Sequence, residues 1–518
     1  MKRKKAQARR ERKRRMRNRE CRIKQRLREM QWQNQPQPMF KARNIHYELS
    51  ERDRGLAVGG IGAIHRLVRH IGLIEDFDRE LELLKVHVPY HESDHILNLA
   101  YNILSGGTCL DDLELLRNDE VYLDALGAQR IPDPTTAGDF CRRFKVEDIE
   151  KLMAVINEAR LRVWRAQPDS FFEEAIIEAD GTLAPTTGEC KQGMDISYKG
   201  LWGYHPLVVS LANTQEPLFL VNRSGNRPSS EGAAERFDQA IALCRRARFR
   251  RITLRGDTDF SLTRHLDRWV DDGARFVFGF DAMPLLQARA MDLDESAWTP
   301  LKRRLKYEVQ TEPRMRPENV KERIVEERGF ENIKLQSEDV AEFDYQPGNC
   351  KHAYRMVVLR KNLTIERGER EIVDDIRFFF YITSDREASP SEIVFESNDR
   401  CNQENLISQL KSGVRALNMP VDNLVSNWAY MVMTSFAWTL KAWFALVLPV
   451  KGRWKERHAK EKSAVLRMEF KKFLNAFLRI PAQLIRTGRR LVFRLLSWNP
   501  YQHVFFRLLE AIDYPLRC

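Results

Sequence analysis

Between residues 171 and 280 the apolar residues succeed one another in an order that few folds can accommodate. Ala175-Ile-Ile-Glu-Ala179 reads as a short strand that ends at Asp180-Gly-Thr182. Leu207 to Ala212 and Leu218 to Val221 read as two further strands, joined by a turn over Asn213 to Pro217, the start of an antiparallel sheet. Residues 230–247 are Ala-rich and predict a helix. Arg251-Ile-Thr-Leu-Arg255 is the next strand, and it ends at Gly256-Asp257. A helix over roughly 261–272 and a strand from Arg275 to Phe280 complete the run. The chain thus offers three antiparallel strands, then helix, strand, helix, strand.

That succession is the order of a ribonuclease-H-like fold, and it predicts an α/β core. Residues 286–375 break the pattern: they are charged, mixed in period, and include a strand from Tyr354 to Leu359. Phe378 to Thr383 is apolar and β-prone, and after it a helix beginning near Pro390 or Asn398 carries Glu404. The expected fold class is therefore a ribonuclease-H-like catalytic core interrupted by a β-rich insertion, with helical N- and C-terminal regions. Residues 55–165 read as helical. Ile96, Leu97, Leu99, Ala100, Ile103 and Leu104 recur at helical spacing and stop at Gly106-Gly107, and a second run spans Leu110 to Leu116. Asp133 or Thr135 caps a helix beginning near Pro134. Such short helices suit a helix-turn-helix-like DNA module and an ordinary helical bundle equally well. The expected division is a basic arm (1–40), a helical DNA-binding region (41–165), the first part of the core (166–285), the insertion (286–375), the second part of the core (376–450) and a basic helical C-terminal region (451–518).

Charge is placed unevenly along the 518 residues, whose formal net charge is +13. Residues 1–30 hold sixteen Lys or Arg against three Glu, and residues 451–500 hold fourteen against three. The remainder is therefore acidic, and two basic ends around an acidic body point to a polyanion gripped with salt-sensitive affinity. Residues 1–38 show no hydrophobic period and read either as a solvated tail or as an arm that orders on DNA. Eight cysteines are scattered without a C-x-x-C pair or a His at metal-ligand spacing, which suits a reduced cytoplasmic protein and argues against structural zinc. The N-terminus has no apolar h-region. Met431 to Val450 approaches membrane-spanning length, yet it contains Lys441, Thr434, Ser435 and Thr439 and ends at Pro449, so it reads as a buried helix.

Two strands each deliver an Asp at the C-terminal end, Asp180 and Asp257. Phosphodiester cleavage requires an activated nucleophile and a stabilised leaving oxygen, which two divalent ions roughly 3.5–4 Å apart supply. Magnesium takes hard oxygen ligands, hence carboxylates near strand ends. A lone strand-end Asp is more often a turn or helix cap, and Asp259 reads as just such a cap. Arg400, Glu404 and Lys411 are spaced four and seven apart. At about 100° per residue they fall within about 40° of one another on a helix. Taken alone, that stripe is a surface ion pair. With two strand-end Asp residues and a preceding strand, it reads as a metal ligand flanked by phosphate clamps. His205, in Gly203-Tyr-His-Pro206, reads as structural, and Trp298 as either a packing residue or a base-stacking one.

Arg400, three residues, Glu404, six residues and Lys411 resemble most of the Y-x2-R-x3-E-x6-K signature of DDE insertion-sequence transposases. Within that superfamily the chain is most similar to the thirteen-eighty group, through Gly203-Tyr-His-Pro-Leu207, Ser224-Gly-Asn226 with Ser229-Ser-Glu-Gly-Ala-Ala234, and Leu254-Arg-Gly-Asp-Thr-Asp-Phe260. The resemblance spans roughly 60–450. It implies a metal triad of Asp180, Asp257 and Glu404 holding two Mg2+ (or Mn2+) ions, with Arg400 and Lys411 contacting DNA phosphates. It also implies double-stranded DNA partners (inverted-repeat ends and target), a homodimer in the synaptic complex, no membrane, and a bacterial, nucleoid-associated location. Ser397 stands where the signature has Tyr, which leaves the route of second-strand cleavage open. The alternatives are a catalytically silent DNA-binding protein of the same fold and a DDE-type nuclease that cuts without transposing.

Overall fold

In the computed structural model, which describes residues 2–28, 42, 44–50, 52–188, 191–303, 331–367, 371–488 and 490–513, the chain forms two units. One is Pro168–Ser408; the other is assembled from Met1–Gln167 and Gln409–Cys518. Cys190, Cys518, residues 29–40 of the expected arm and residues 304–330 of the expected insertion lie outside the described residues.

The first of these units is built on β1 (Glu174–Gly181), β2 (Leu207–Leu211), β3 (Glu216–Val221), α1 (Ala233–Arg246), β4 (Arg251–Gly256), α2 (Thr263–Asp271) and β5 (Arg275–Phe280). The strands lie in the order β3-β2-β1-β4-β5. β2 is antiparallel to both neighbours, while β1, β4 and β5 run parallel. This is the ribonuclease-H-like arrangement that the order of elements predicts. The strands read as nearly continuous apolar runs because the sheet is covered on both faces. Successive residues of β5 point to opposite faces. Phe278 meets Phe237 of α1 and Trp269 of α2. Val277 joins a cluster with Val340, Val357, Ile393 and Val394 on the other face.

The insertion does not form a separate body. Its strands β6 (Glu331–Tyr345), β7 (Tyr354–Arg367) and β8 (Glu371–Thr383) form an antiparallel meander, and β8 pairs with β5 over Phe380–Thr383. With Thr299–Pro300 at its edge, the sheet reaches nine strands. The insertion's charge looks irregular in the sequence because these strands are partly solvated and alternate polar with apolar residues. After β8 the chain forms α3 (Pro390–Asn398), which Ser389 caps through Glu392, and then α4 (Cys401–Ser408).

The other unit is helical around Leu424–Leu446, where every residue from Ser426 to Leu446 is buried. That helix packs against Glu92–Ser105, Pro134–Arg143, Val146–Arg165 and Lys455–Leu466. Asp133 caps Pro134–Arg143 by accepting from the Thr136 N–H at 2.8 Å. No helix among the described residues is long and apolar enough to cross a membrane. Two departures from the sequence expectations occur here. Residues Lys2–Arg28, expected to be an arm without order of its own, form a helix. The segment contains neither Gly nor Pro, is rich in Arg and Lys, and pairs Glu20 with Lys24 at 2.6 Å. It docks through Arg12, which pairs with Glu510 and lies 4.4 Å from the Phe506 ring centroid. The second departure is in the C-terminal region, where Ala482–Thr487 and Arg490–Leu495 form a hairpin that pairs with Gly55–Leu56.

Lys441 is fully buried in the central helix. Its ammonium lies 4.0 Å from the Trp438 ring centroid and donates to the Leu466 carbonyl. Burial pushes its pKa down to about 7, and that of Lys462 down to about 8. Below the folded pKa the full cost of burying the charge is present. As pH rises from there toward the unfolded value the folded state holds fewer protons than the unfolded one, so stability increases. We expect stability to gain on the order of 1–2 kcal/mol from Lys441 alone between pH 6.5 and 8.5. Lys441→Met should remove that part of the slope, as read by chemical denaturation at the two pH values. An unchanged slope would show that the buried amine does not titrate there.

Candidate active site

The site grows out of one pair of parallel strands. Glu178 of β1 and Arg255 of β4 are register partners. Side chains two residues apart share a face, so Asp180 and Asp257 leave the strand ends on the same face as that pair. Arg255 Nη2 lies 2.6 Å from Glu178 Oε1, with the two side chains 3% and 1% exposed. A second guanidinium nitrogen, Nη1, donates to the Glu396 carbonyl of α3 at 2.7 Å. Burial pushes the Glu178 pKa up, while Arg255 pulls it back. One buried ion pair therefore ties together the two strands that end in Asp and the helix that leads to Arg400 and Glu404.

Burial, and then the charge of Asp257, push the Asp180 carboxyl up to about 7; Arg400 opposes the shift and Glu404 adds to it. Asp257 is also raised by burial, with the Arg400 guanidinium pulling it back from 3.7 Å. Asp257 Oδ1 accepts from the Asp259 N–H at 3.1 Å, capping the short turn Thr258–Phe260. The cap expected at Asp259 thus falls to Asp257, which uses one oxygen for the turn and turns the other toward Arg400. A Cβ on Gly181 would lie 2.9 Å from His205 Nε2, so the turn after Asp180 needs glycine for close approach. His205 is buried, and its Nδ1 donates to the Arg227 carbonyl at 2.7 Å.

Glu404 is exposed on α4. The preceding residue, Gln403, is 3% exposed and positions that helix. Its Nε2 donates to the Val208 carbonyl at 3.0 Å, and Val208 is the register partner of Asp180; its Oε1 accepts from Ser210. The angular stripe of Arg400, Glu404 and Lys411 assumes one continuous α-helix. Here Arg400 precedes α4, and Lys411 lies in a π-helical turn, Gln409–Gly413, within the other unit. The structure therefore brings Asp180, Asp257, Arg400 and Glu404 into one electrostatic cluster. Ser397 is buried on α3, so the position that carries Tyr in the signature takes a small packed side chain. Trp298 is also packed, with Arg360 4.3 Å above its ring and Phe378 6.1 Å away.

The donor set suits divalent cations. Its oxygens are hard, and burial and mutual repulsion leave Asp180 a poor carboxylate without added positive charge. Among the described residues the only group of three ligands with all atoms within 4.8 Å of one another is His87, His91 and Glu92. There, in the helical unit, the Glu92 carboxylate is already engaged by His87 and by the Leu83 and Leu84 N–H groups. The Asp180, Asp257 and Glu404 oxygens are spread more widely.

Sequence reading passed over Glu178, Arg255 and Gln403. The first two left a signal: a charge two residues before the terminal Asp in each of the two strands.

Sheet order and the acidic cluster at the strand ends define a ribonuclease-H-like α/β protein with a carboxylate site suited to phosphoryl chemistry. The chain belongs to the family described as transposase DDE domain group 1, whose match covers residues 56–515. It is a DDE transposase by family. Comparison with curated protein sequences gives no match. Among solved structures, the chain is similar to the piggyBac transposase in a synaptic complex with hairpin DNA, at 11% identity and a TM-score of 0.34, over 82% of this chain and 83% of that one. At that score the assignment rests on the family match and the strand order.

Removing Arg255 alone leaves Glu178 buried without a counter-charge. We expect Arg255→Met to cost about 3–5 kcal/mol, and the double variant Glu178→Leu, Arg255→Met to recover most of it, in urea denaturation. A single variant as stable as the parent would remove the pair from its positioning role.

Proposed function

We propose that this chain is a DNA transposase that binds the inverted-repeat ends of its element, cuts them, and joins the freed 3′-hydroxyl to target DNA. In this reading Asp180, Asp257 and Glu404 hold two Mg2+ (or Mn2+) ions, Arg400 and Lys411 contact DNA phosphates, and two copies synapse two ends. The chain would be a thirteen-eighty-type transposase whose signature Tyr is replaced by Ser397, acting in the bacterial cytoplasm on the nucleoid. Its core would be interrupted by the insertion 286–375.

The observation that carries the proposal is the convergence of Asp180, Asp257, Glu404 and Arg400 at the end of the β1–β4 pair. When bound, the ions would activate a nucleophile at neutral pH and neutralise the leaving oxygen. The residues themselves do the positioning. Glu178 and Arg255 hold together the two strands that end in Asp180 and Asp257, and Gln403 fixes the helix that presents Glu404 against the partner strand of Asp180. Arg400 presents a guanidinium whose fork matches phosphate oxygens. The basic helix Lys2–Arg28 and the basic residues of 451–500 supply sequence-independent attraction to the DNA backbone.

The decisive experiment is cleavage and strand transfer on a labelled element end, in magnesium and in EDTA. Asp180→Asn and Glu404→Ala should reduce both activities to background while end binding persists. Retained activity in either variant would remove that residue from the site. Cutting without joining would assign a nuclease, and binding without cutting in magnesium or manganese a silent DNA-binding protein. Deleting residues 2–28 should also flatten the dependence of binding on salt, by about 0.9 in the log–log slope for each phosphate that the helix had neutralised. An unchanged slope would place that helix off the DNA.

A further inference from the structure

A hairpin springs from the strand that carries Asp180. Thr182 N–H donates to the Pro206 carbonyl at 2.9 Å, and beyond it Ala184–Pro185, Asp195–Ile196 and Trp202–Tyr204 form a small three-stranded sheet with the last of these in the middle. Its stem is locked. Tyr204 is fully buried and donates from its hydroxyl to the Gln192 carbonyl at 2.8 Å. Ser224 donates to the Gly193 carbonyl at 2.6 Å, and Asn226 to Asp195 at 2.7 Å. A Cβ on Gly225 would sit 2.3 Å from the Asp195 carbonyl oxygen, so this close approach leaves no room for slack.

The tip differs in kind. Ile196, Tyr198, Leu201 and Trp202 are 47%, 79%, 45% and 55% exposed. Single exposed apolar residues are ordinary; four within seven positions of a rigid hairpin are not. Ile196 and Trp202 are cross-strand partners and share a face. The turn is pinned by the Ser197 N–H to the Leu201 carbonyl at 2.8 Å and by the Leu201 N–H to Ser197 Oγ at 3.1 Å. Between Ile196 and Tyr204 the only charged residue is Lys199, whose ammonium lies 5.3 Å from the Tyr198 ring centroid. Two exposed aromatic rings, two aliphatic side chains and one cation, with no acidic group, match a nucleic-acid strand, which offers π-faces to stack and phosphates to pair. Trp202 is five residues from Leu207, the register partner of Gly181. At about 3.3 Å per strand residue Trp202 lies at most about 17 Å along the chain from Leu207, beside the turn after Asp180.

We propose that the tip formed by Tyr198, Lys199 and Trp202 is a stacking platform for unpaired nucleobases of the DNA strand, a few nucleotides from the phosphate at the acidic site. This inference rests on the DNA-transposase reading above. The platform captures bases by their π-faces, so it is tolerant of sequence and favours a frayed or nicked end over an intact duplex. The rigid stem keeps the stacked strand in a set relation to Asp180, because hairpin and carboxylate share one strand.

The test uses the full chain with a mixed-sequence duplex bearing a short single-stranded 3′ tail that contains 2-aminopurine, and the same sequence as blunt duplex. The parent should bind the tailed DNA more tightly and quench the 2-aminopurine. Tyr198→Ala with Trp202→Ala should abolish the quenching and weaken tailed-DNA binding roughly tenfold or more, with little change on blunt duplex. Tyr198→Phe with Trp202→Phe should restore both, which a merely destabilised hairpin would not allow. A parent that binds and quenches no better than the alanine variant, although both hold blunt duplex, overturns the platform and leaves the transposase reading intact. A parent that binds neither DNA fails both readings. Loss of a solution dimer in the alanine variant with DNA binding unchanged would give the tip to a second copy of the chain and overturn the proposal.

Discussion

The unit Pro168–Ser408 depends on one buried charge pair. Glu178 and Arg255 face each other across two parallel strands in an apolar interior, where either charge alone would be strongly unfavourable. Arg255 meets that requirement by also satisfying the Glu396 carbonyl, so the pair sets the spacing of β1, β4 and α3 at once. Both strand ends inherit that spacing. The period of two along each strand carries it from Glu178 and Arg255 to Asp180 and Asp257. Gln403 repeats the device one strand over, anchoring α4 to the backbone opposite Asp180.

The two units meet the cost of burying charge in opposite ways. At the strand ends several carboxylates crowd one partly buried edge, and Arg400 offsets them only in part, because the Asp180 carboxyl is still pushed up to about 7. In the helical unit a lone lysine is enclosed by apolar helices, and its ammonium is served by a carbonyl and an indole face. Crowded carboxylates raise one another's pKa. An enclosed amine instead lowers its own basicity.

Much of this was legible in the residues. The order of strands and helices from 174 to 280 follows from where the apolar period changes, because those elements are short, buried and bounded by turns. The terminal Asp residues stood out for the same reason. What could not be read were features set by neighbours distant in sequence. Nothing near Glu331 says that a fifteen-residue strand begins there, because its partners are β7 and the short strand at 299–300, not its own burial. The π-helical turn at Gln409–Gly413 shifts the phase on which the Arg400–Glu404–Lys411 stripe was built, and no residue type announces such a turn. Nor does the low apolar content of residues 2–28 reveal that Glu510, Phe506 and the Leu495 carbonyl dock that helix.

The way the insertion joins the core limits how it can vary. Only Phe380–Thr383 of β8 pair with β5, and Val340 and Val357 pack on Val277 near that same end, so the rest of the meander extends from it as a ladder anchored at one end. Each rung pairs residues on adjacent strands, and each step along a strand exchanges the two faces. A change in length at the far end is therefore invisible to the core, provided it removes or adds whole rungs on both strands of a hairpin. A change of one residue on one strand alone must be absorbed as a bulge, like the irregularity between Leu335 and Ser337, or it inverts the faces of everything distal to it. The ladder behaves as a ruler with fixed graduations: its reach is adjustable, but only in discrete steps.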